Sequence, residues 1–109
     1  MIPDPSPPFD FEIAKIARDD IIGILKRAGQ LGIQDEIGGM LLGMENELRM
    51  RPRDWGDPIR LLRRLNVLQY RRMIRPLIVN YAVHERKPYV VLNRVEVIPG
   101  DPLSDSSDS

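Results

Sequence analysis

Residues Arg51-Pro52-Arg53-Asp54-Trp55-Gly56-Asp57-Pro58-Ile59-Arg60-Leu61-Leu62-Arg63-Arg64 mark the point where the chain changes texture. Upstream, apolar residues recur at helical spacing; downstream, β-branched and aromatic residues take over. Pro52 lacks a backbone donor and its ring clashes with a preceding helical turn, so a helix arriving from residue 37 ends there. Trp55-Gly56-Asp57-Pro58 reads as the turn into a sheet. Glycine permits positive φ, Asp57 can bond the local backbone, and Pro58 presets the direction that follows. Trp55 is expected to lid one edge of the core.

Before this turn, Ile37, Met40, Leu41, Met44 and Leu48 form one helical stripe, with Glu45, Glu47 and Arg49 outside it. Gly38, Gly39 and Gly43 each cost such a helix about 1 kcal/mol relative to alanine, so they are expected to admit close backbone contact with the neighbouring helix or the sheet. An earlier helix carries Ala14, Ala17, Ile21, Ile24, Leu25 and Ala28, with Gly29 and Gly32 as stop signals. Phe9, Phe11 and Ile13 alternate with Asp10, Glu12 and Ala14, the pattern of a short half-buried strand.

After the turn, Leu61 to Leu68 fits either period, and Val67, Tyr70 and the turn signal at Arg75-Pro76 favour strand. Leu77 to Val83 and Tyr89 to Val97 are strands joined by a hairpin loop at His84 to Pro88. The order is β-α-α-β-β-β. It predicts an α+β domain over residues 9–98, a helical hairpin packed on a mostly antiparallel four-stranded sheet. Residues 1–8, dominated by proline, are expected to be extended and flexible, and residues 99–109 to form a disordered acidic tail.

A chain of 109 residues suits one domain with a modest core. Without cysteine it has no disulfide, thiolate zinc site or cysteine nucleophile. No apolar run approaches the roughly 18 residues of a membrane span, and Met1-Ile2-Pro3-Asp4-Pro5 lacks the basic and apolar regions of a secretory signal. The expected setting is the cytoplasm, with no membrane partner.

The zero net charge conceals segregation. Residues 1–48 carry four basic groups against nine acids; residues 49–94 carry twelve against three; residues 95–109 carry four acids and no base. Such asymmetry points to a polyanion or an acidic partner. Because alternate strand residues share a face, Arg71 and Arg72 must point to opposite sides, as must Arg63 and Arg64. The uncovered face is expected to gather Arg60, Arg63 or Arg64, one of Arg71 and Arg72, Arg75 and Arg94, with Tyr70 or Tyr81 among them. Guanidinium forks and flat rings suit an RNA backbone with unstacked bases. The competing reading is that these arginines solubilise an exposed sheet and pair with the acidic helices. His84, the single histidine, has the titration range for acid/base work but sits in a loop. No triad spacing, phosphate-cradling glycine loop, metal-ligand cluster or cofactor motif is present.

Leu48, Pro52, Gly56-Asp57-Pro58, Leu61-Leu62, then Tyr70-Arg71-Arg72 and Ile78-Val79-Asn80-Tyr81-Ala82-Val83, resemble the signals of the RelE/ParE superfamily of bacterial type II toxins, over about residues 9–98. The resemblance implies a toxin of a toxin-antitoxin system with a cognate antitoxin as partner. In the ribonuclease branch it implies an RNA- or ribosome-binding, metal-independent mRNA interferase. There Arg71, Arg72 and His84 are the catalytic candidates, and Arg60, Arg63, Arg64, Arg71, Arg72, Arg75, Arg94 and Tyr70 the nucleic-acid or partner contacts. Two departures stand out: Ile78 where the family often has arginine, and Ile98-Pro99-Gly100-Asp101 where the ribonucleases close with histidine or arginine near a tyrosine. The alternative is a catalytically silent or ParE-like member that binds an antitoxin or a protein target, or a non-toxic interaction module.

Overall fold

The computed structural model describes residues 8–104; most of the proline-rich N-terminus and residues 105–109 of the expected tail lie outside the described residues. In chain order the elements are β1 (Asp10–Ile13), α1 (Lys15–Leu31), α2 (Gln34–Met50), α3 (Pro52–Trp55), β2 (Asp57–Leu62), a 3-10 turn (Arg63–Leu65), β3 (Val67–Ile74), β4 (Leu77–His84) and β5 (Tyr89–Val97). They form one sheet in the order β1-β5-β4-β3-β2. β1 runs parallel to β5 and every other neighbouring pair is antiparallel.

The α+β class holds, but the sheet is mixed and has five strands rather than four. The fifth arises because the ambiguous leucine-rich run folds into a hairpin of its own. Leu61 pairs with Leu68 and Leu62 with Val67 across a turn that closes on Asn66, at φ 54°. Asparagine tolerates this left-handed conformation better than other non-glycine residues. The leucines therefore divide between two strands.

α1 ends where Gly32 takes φ 76° and its N–H reaches the carbonyls of Ala28 and Gly29. α2 carries Asp35 and Glu36 in its first turn and Arg49 in its last, the arrangement its dipole favours. Pro52 ends α2 and also opens α3 at the first helical position, where a missing N–H costs nothing. α1 lies along β5, and α2 packs on α1 and β1.

The core lies between the helices and one sheet face. Ala17, Ile24 and Ala28 of α1 and Ile37, Leu41, Met44 and Leu48 of α2 meet Leu77, Val79, Tyr81 and Val83 of β4 and Val90, Leu92 and Val95 of β5. Trp55 closes one edge, buried against Tyr81 with ring centroids 5.9 Å apart.

Two glycine expectations change. Gly56 is extended, at φ −115° and ψ −177°, so positive φ is not what requires it. A Cβ there would lie 2.7 Å from the Tyr81 hydroxyl and 3.0 Å from the Arg71 carbonyl oxygen, so the requirement is close approach. Gly38, Gly39 and Gly43, expected to sit against a neighbour, have no heavy atom within 4 Å of where a Cβ would stand. Residues 99–104, assigned from composition to a disordered acidic tail, turn back onto α1 instead. Leu103 is fully buried and its carbonyl accepts the Arg27 Nε–H at 2.8 Å, because this one apolar residue in a polar segment has a gap in the core to fill.

Candidate functional site

β3 sends alternate residues to opposite sides. Leu68, Tyr70, Arg72 and Ile74 stand opposite Val83, Tyr81, Val79 and Leu77 of β4, on the helix-covered side; Gln69, Arg71 and Met73 stand opposite Ala82, Asn80 and Ile78, on the open side. Arg71 and Arg72 are thus separated by the sheet.

On the covered side Arg72 and Tyr81 are engaged. Arg72 donates from Nη1 to the Trp55 carbonyl at 2.8 Å and lies over the indole, 5.4 Å from its centroid. Tyr70 is buried and stacks on Tyr81, with centroids 5.1 Å apart and planes 7° apart. The Tyr81 hydroxyl donates to the Pro52 carbonyl at 2.6 Å. Burial pushes the phenol pKa of both tyrosines up, that of Tyr81 furthest.

The open side holds a groove of about 540 Å³ whose lining includes Ile59, Leu62, Leu65, Val67 and Val91, with Gln69, Arg71, Asn80 and Asn93 among them. Arg71 donates from Nε to Asn80 Oδ1 at 3.0 Å, and Asn80 donates from Nδ2 to Glu96 Oε1 at 3.2 Å. This relay fixes one edge of the guanidinium of an otherwise exposed residue. Tyr70 and Tyr81 border the groove through their backbones, their rings being turned to the covered side.

The remaining sequence candidates scatter. Arg60, Arg63 and Arg64 are exposed around the β2–β3 hairpin tip, and among the described residues their side chains make no hydrogen bond or ion pair. Arg75 is exposed at the opposite end of β3. Arg94 is held by Asp20 of α1, at 2.8 Å from Nε to Oδ2 and 3.2 Å from Nη2 to Oδ1. The same carboxylate accepts the Val95 N–H at 3.0 Å, completing an edge of β5 that β1 is too short to cover. Hydrogen bonding to Asp20 raises the Arg94 pKa further. Arg94 is therefore a structural ion pair, as the competing reading of the arginines expected.

His84 stands opposite Val67, four residues along the ladder from the Arg71–Asn80 pair, about 13 Å at ~3.3 Å per residue. Its Nδ1 accepts the backbone N–H groups of Arg86 and Lys87 at 3.0 and 3.1 Å, stapling its own loop. Arg53 braces that loop by donating from Nη2 to the His84 carbonyl at 2.8 Å, while stacking on Phe9 at 4.9 Å. The three catalytic candidates therefore stand at three separate places: Arg71 on the open face, Arg72, exposed beside Trp55, on the helix-covered side and His84 at the end of β4. Among the described residues no group of three metal-ligating side chains converges.

Sequence reasoning overlooked Asn80, Asn93 and the aliphatic wall Ile59, Leu62 and Leu65. Asn80 was detectable as a polar residue alternating with the buried Val79 and Tyr81. The wall was not, because it depends on the Arg63–Asn66 turn and on register shifts between Pro58 and Arg60 and between Asn80 and Tyr81.

In comparisons with protein-family models, curated proteins and solved structures, nothing matches this chain. Among the described residues no helix is long and apolar enough to cross a membrane.

Proposed function

We propose that this chain is a RelE/ParE-like protein of the catalytically silent kind, which holds an acidic, amphipathic segment of a partner protein across the open sheet face and the β2–β3 tip. In the terms of the resemblance, that partner is an antitoxin. The observation that carries the reading is the composition of the surface: the aliphatic wall lies beside Arg71 and the tip arginines Arg60, Arg63 and Arg64, none of which forms an ion pair among the described residues, Arg94 alone being held by Asp20, and the stacked rings of Tyr70 and Tyr81 are turned to the covered side. Recognition of single-stranded RNA relies on exposed rings for stacking. Here Trp55, Tyr70 and Tyr81 are buried. Cleavage through a 2′-hydroxyl also needs a proton acceptor and a donor beside the phosphate-binding cation. Arg71 has only the Asn80 amide and Glu96 in its hydrogen-bonded chain, and His84 is four residues further along β4, about 13 Å at ~3.3 Å per residue. An acidic helix with an aliphatic stripe complements the surface in both charge and shape.

The test uses a fluorescent 20-residue amphipathic peptide with a glutamate-rich face, its glutamine counterpart and single-stranded RNA. The acidic peptide is expected to bind with an affinity that falls as salt rises, and Arg64→Ala with Arg71→Ala to weaken it roughly tenfold. Ribosome-bound message is expected to stay intact. RNA cleavage that Arg71→Ala abolishes, or RNA outcompeting the peptide, replaces this reading with the interferase one.

A further inference from the structure

A second groove, of about 650 Å³, lies at the opposite edge of the sheet, where Phe11 and Ile13 of β1, Ile21 and Leu25 of α1 and Leu41 and Leu42 of α2 meet. It stays open because Gly38 and Gly39 line it and contribute no side chain. Nothing inside the chain explains either glycine, and each is unfavourable for the helix that carries it. Leu42 is 70% exposed beside them. Asp35 and Glu45 stand on the rim, the latter bound to Arg49 at 3.0 Å, while Asp10 and Glu12, alternating with Phe11 and Ile13, face the other side of β1.

The β2–β3 tip has the complementary character. Leu65 is 64% exposed, Ile59 50% and Leu61 40%, and Arg60, Arg63 and Arg64 surround them without acid partners. β1 and β2 are the two outer strands of the sheet, so groove and tip lie on opposite sides of one molecule and cannot meet within it. The segregation of a neutral chain into acidic N-terminal and basic middle parts follows the same division.

We infer that the groove at β1, α1 and α2 receives the β2–β3 hairpin tip of a second copy of this chain. Leu65 and Leu61 of one copy enter the space left by Gly38 and Gly39 of the next, and the tip arginines meet the acidic rim. The contact joins different surfaces, so it is heterologous: each copy keeps one unused groove and one unused tip, and assembly continues head to tail unless a ring closes. The inference does not depend on the partner reading above. Where both hold, an acidic partner on the tip and a second copy exclude each other.

Sedimentation velocity across a concentration series tests it. The wild-type chain is expected to form dimers and larger species, with association weakening as salt rises. Gly38→Leu fills the groove while improving helix propensity, and Leu65→Asp spoils the tip; each is expected to weaken association at least tenfold. Leu42→Glu, at an exposed position, repeats the groove test independently of how leucine is accommodated at 38. Gly43→Ala, outside the groove on the same helix, is expected to associate like the wild type. The decisive arm mixes Gly38→Leu with Leu65→Asp, because each retains the surface the other has lost. A one-to-one dimer and nothing larger supports the inference. A wild type that stays monomeric at its highest soluble concentration, groove variants that assemble normally, or a mixture that stays monomeric overturns it. At protein concentrations below the association range, Gly38→Leu is also expected to bind the acidic peptide like the wild type, which separates this result from the fate of the functional proposal.

Discussion

Arg71 and Arg72 are adjacent in β3 and live on opposite sides of the same sheet, and the two sides are satisfied in opposite ways. Beneath the sheet, Arg72, Trp55, Tyr70 and Tyr81 form a closed set in which Arg72 and the Tyr81 hydroxyl bond the carbonyls of Trp55 and Pro52 and the three rings pack together. Above it, Arg71 is braced by Asn80 while the aliphatic wall and the tip arginines face solvent. One arrangement spends its interactions on the fold. The other keeps them for something outside the chain. If that contrast is right, substitutions below should cost stability and leave binding alone, and substitutions above should do the reverse.

The largest effect is expected at Gly56. A methyl group placed 2.7 Å from the Tyr81 hydroxyl and 3.0 Å from the Arg71 carbonyl oxygen must displace a fully buried ring or a strand backbone. Gly56→Ala is predicted to lower the unfolding free energy by roughly 2–3 kcal/mol, the upper part of the roughly 1–3 kcal/mol typical of overpacking a well-filled site. Urea unfolding would measure it. Adding Tyr81→Phe removes the nearest clashing atom, so the double variant should recover part of the loss relative to Gly56→Ala alone. A Gly56→Ala protein as stable as the wild type would mean that the covered side is looser than described.

This same turn shows what the sequence could and could not convey. Its position, its role in breaking α2 and its glycine were all legible, because proline and glycine act through local sterics. Why the glycine is needed was not legible, since Tyr81 approaches it from 25 residues further on. Periodicity likewise located β1, α1, α2, β4 and β5, and alternation correctly separated Arg71 from Arg72. It failed where long-range pairing decided the outcome. The leucines from 61 to 68 satisfy two periods, and only the Asn66 turn with pairing to β4 selects a hairpin. The arginines were expected to converge, yet Arg94 is drawn aside by a carboxylate 74 residues earlier in the chain. No local pattern encodes that ion pair.

Tyr81→Phe by itself is the next largest effect. It deletes the bond to the Pro52 carbonyl and leaves that buried acceptor without its donor, for a predicted loss of about 1–2 kcal/mol at neutral pH. The pH dependence is a sharper check. Burial raises the folded-state pKa of Tyr81 and of Tyr70 above the unfolded value near ~10. The associated stability is fully present below about pH 10 and is lost as pH rises from there through the folded-state values, because the unfolded chain gives up its protons first. The wild type should therefore destabilise on the alkaline side of pH 10, and Tyr81→Phe should flatten that limb. An alkaline limb unchanged in the variant would remove Tyr81 from the closed set.

Arg72→Ala should cost about 1 kcal/mol, through the lost bond to the Trp55 carbonyl and the lost cation over the indole. Its neighbour gives the smallest stability effect and the most informative one. Arg71 is exposed, and its hydrogen bond to Asn80 is exposed as well, so Arg71→Ala should change stability by no more than about 0.5 kcal/mol. Its effect belongs in binding, where the acidic peptide should lose affinity. Asn80→Ala separates charge from orientation: it keeps the guanidinium but releases the edge fixed by the amide, so affinity should fall by less than for Arg71→Ala and lose part of its dependence on peptide sequence. Equal losses in stability for Arg71→Ala and Arg72→Ala, with peptide binding untouched by either, would mean that the two sides of the sheet do the same job and that the open face is only a solvated one.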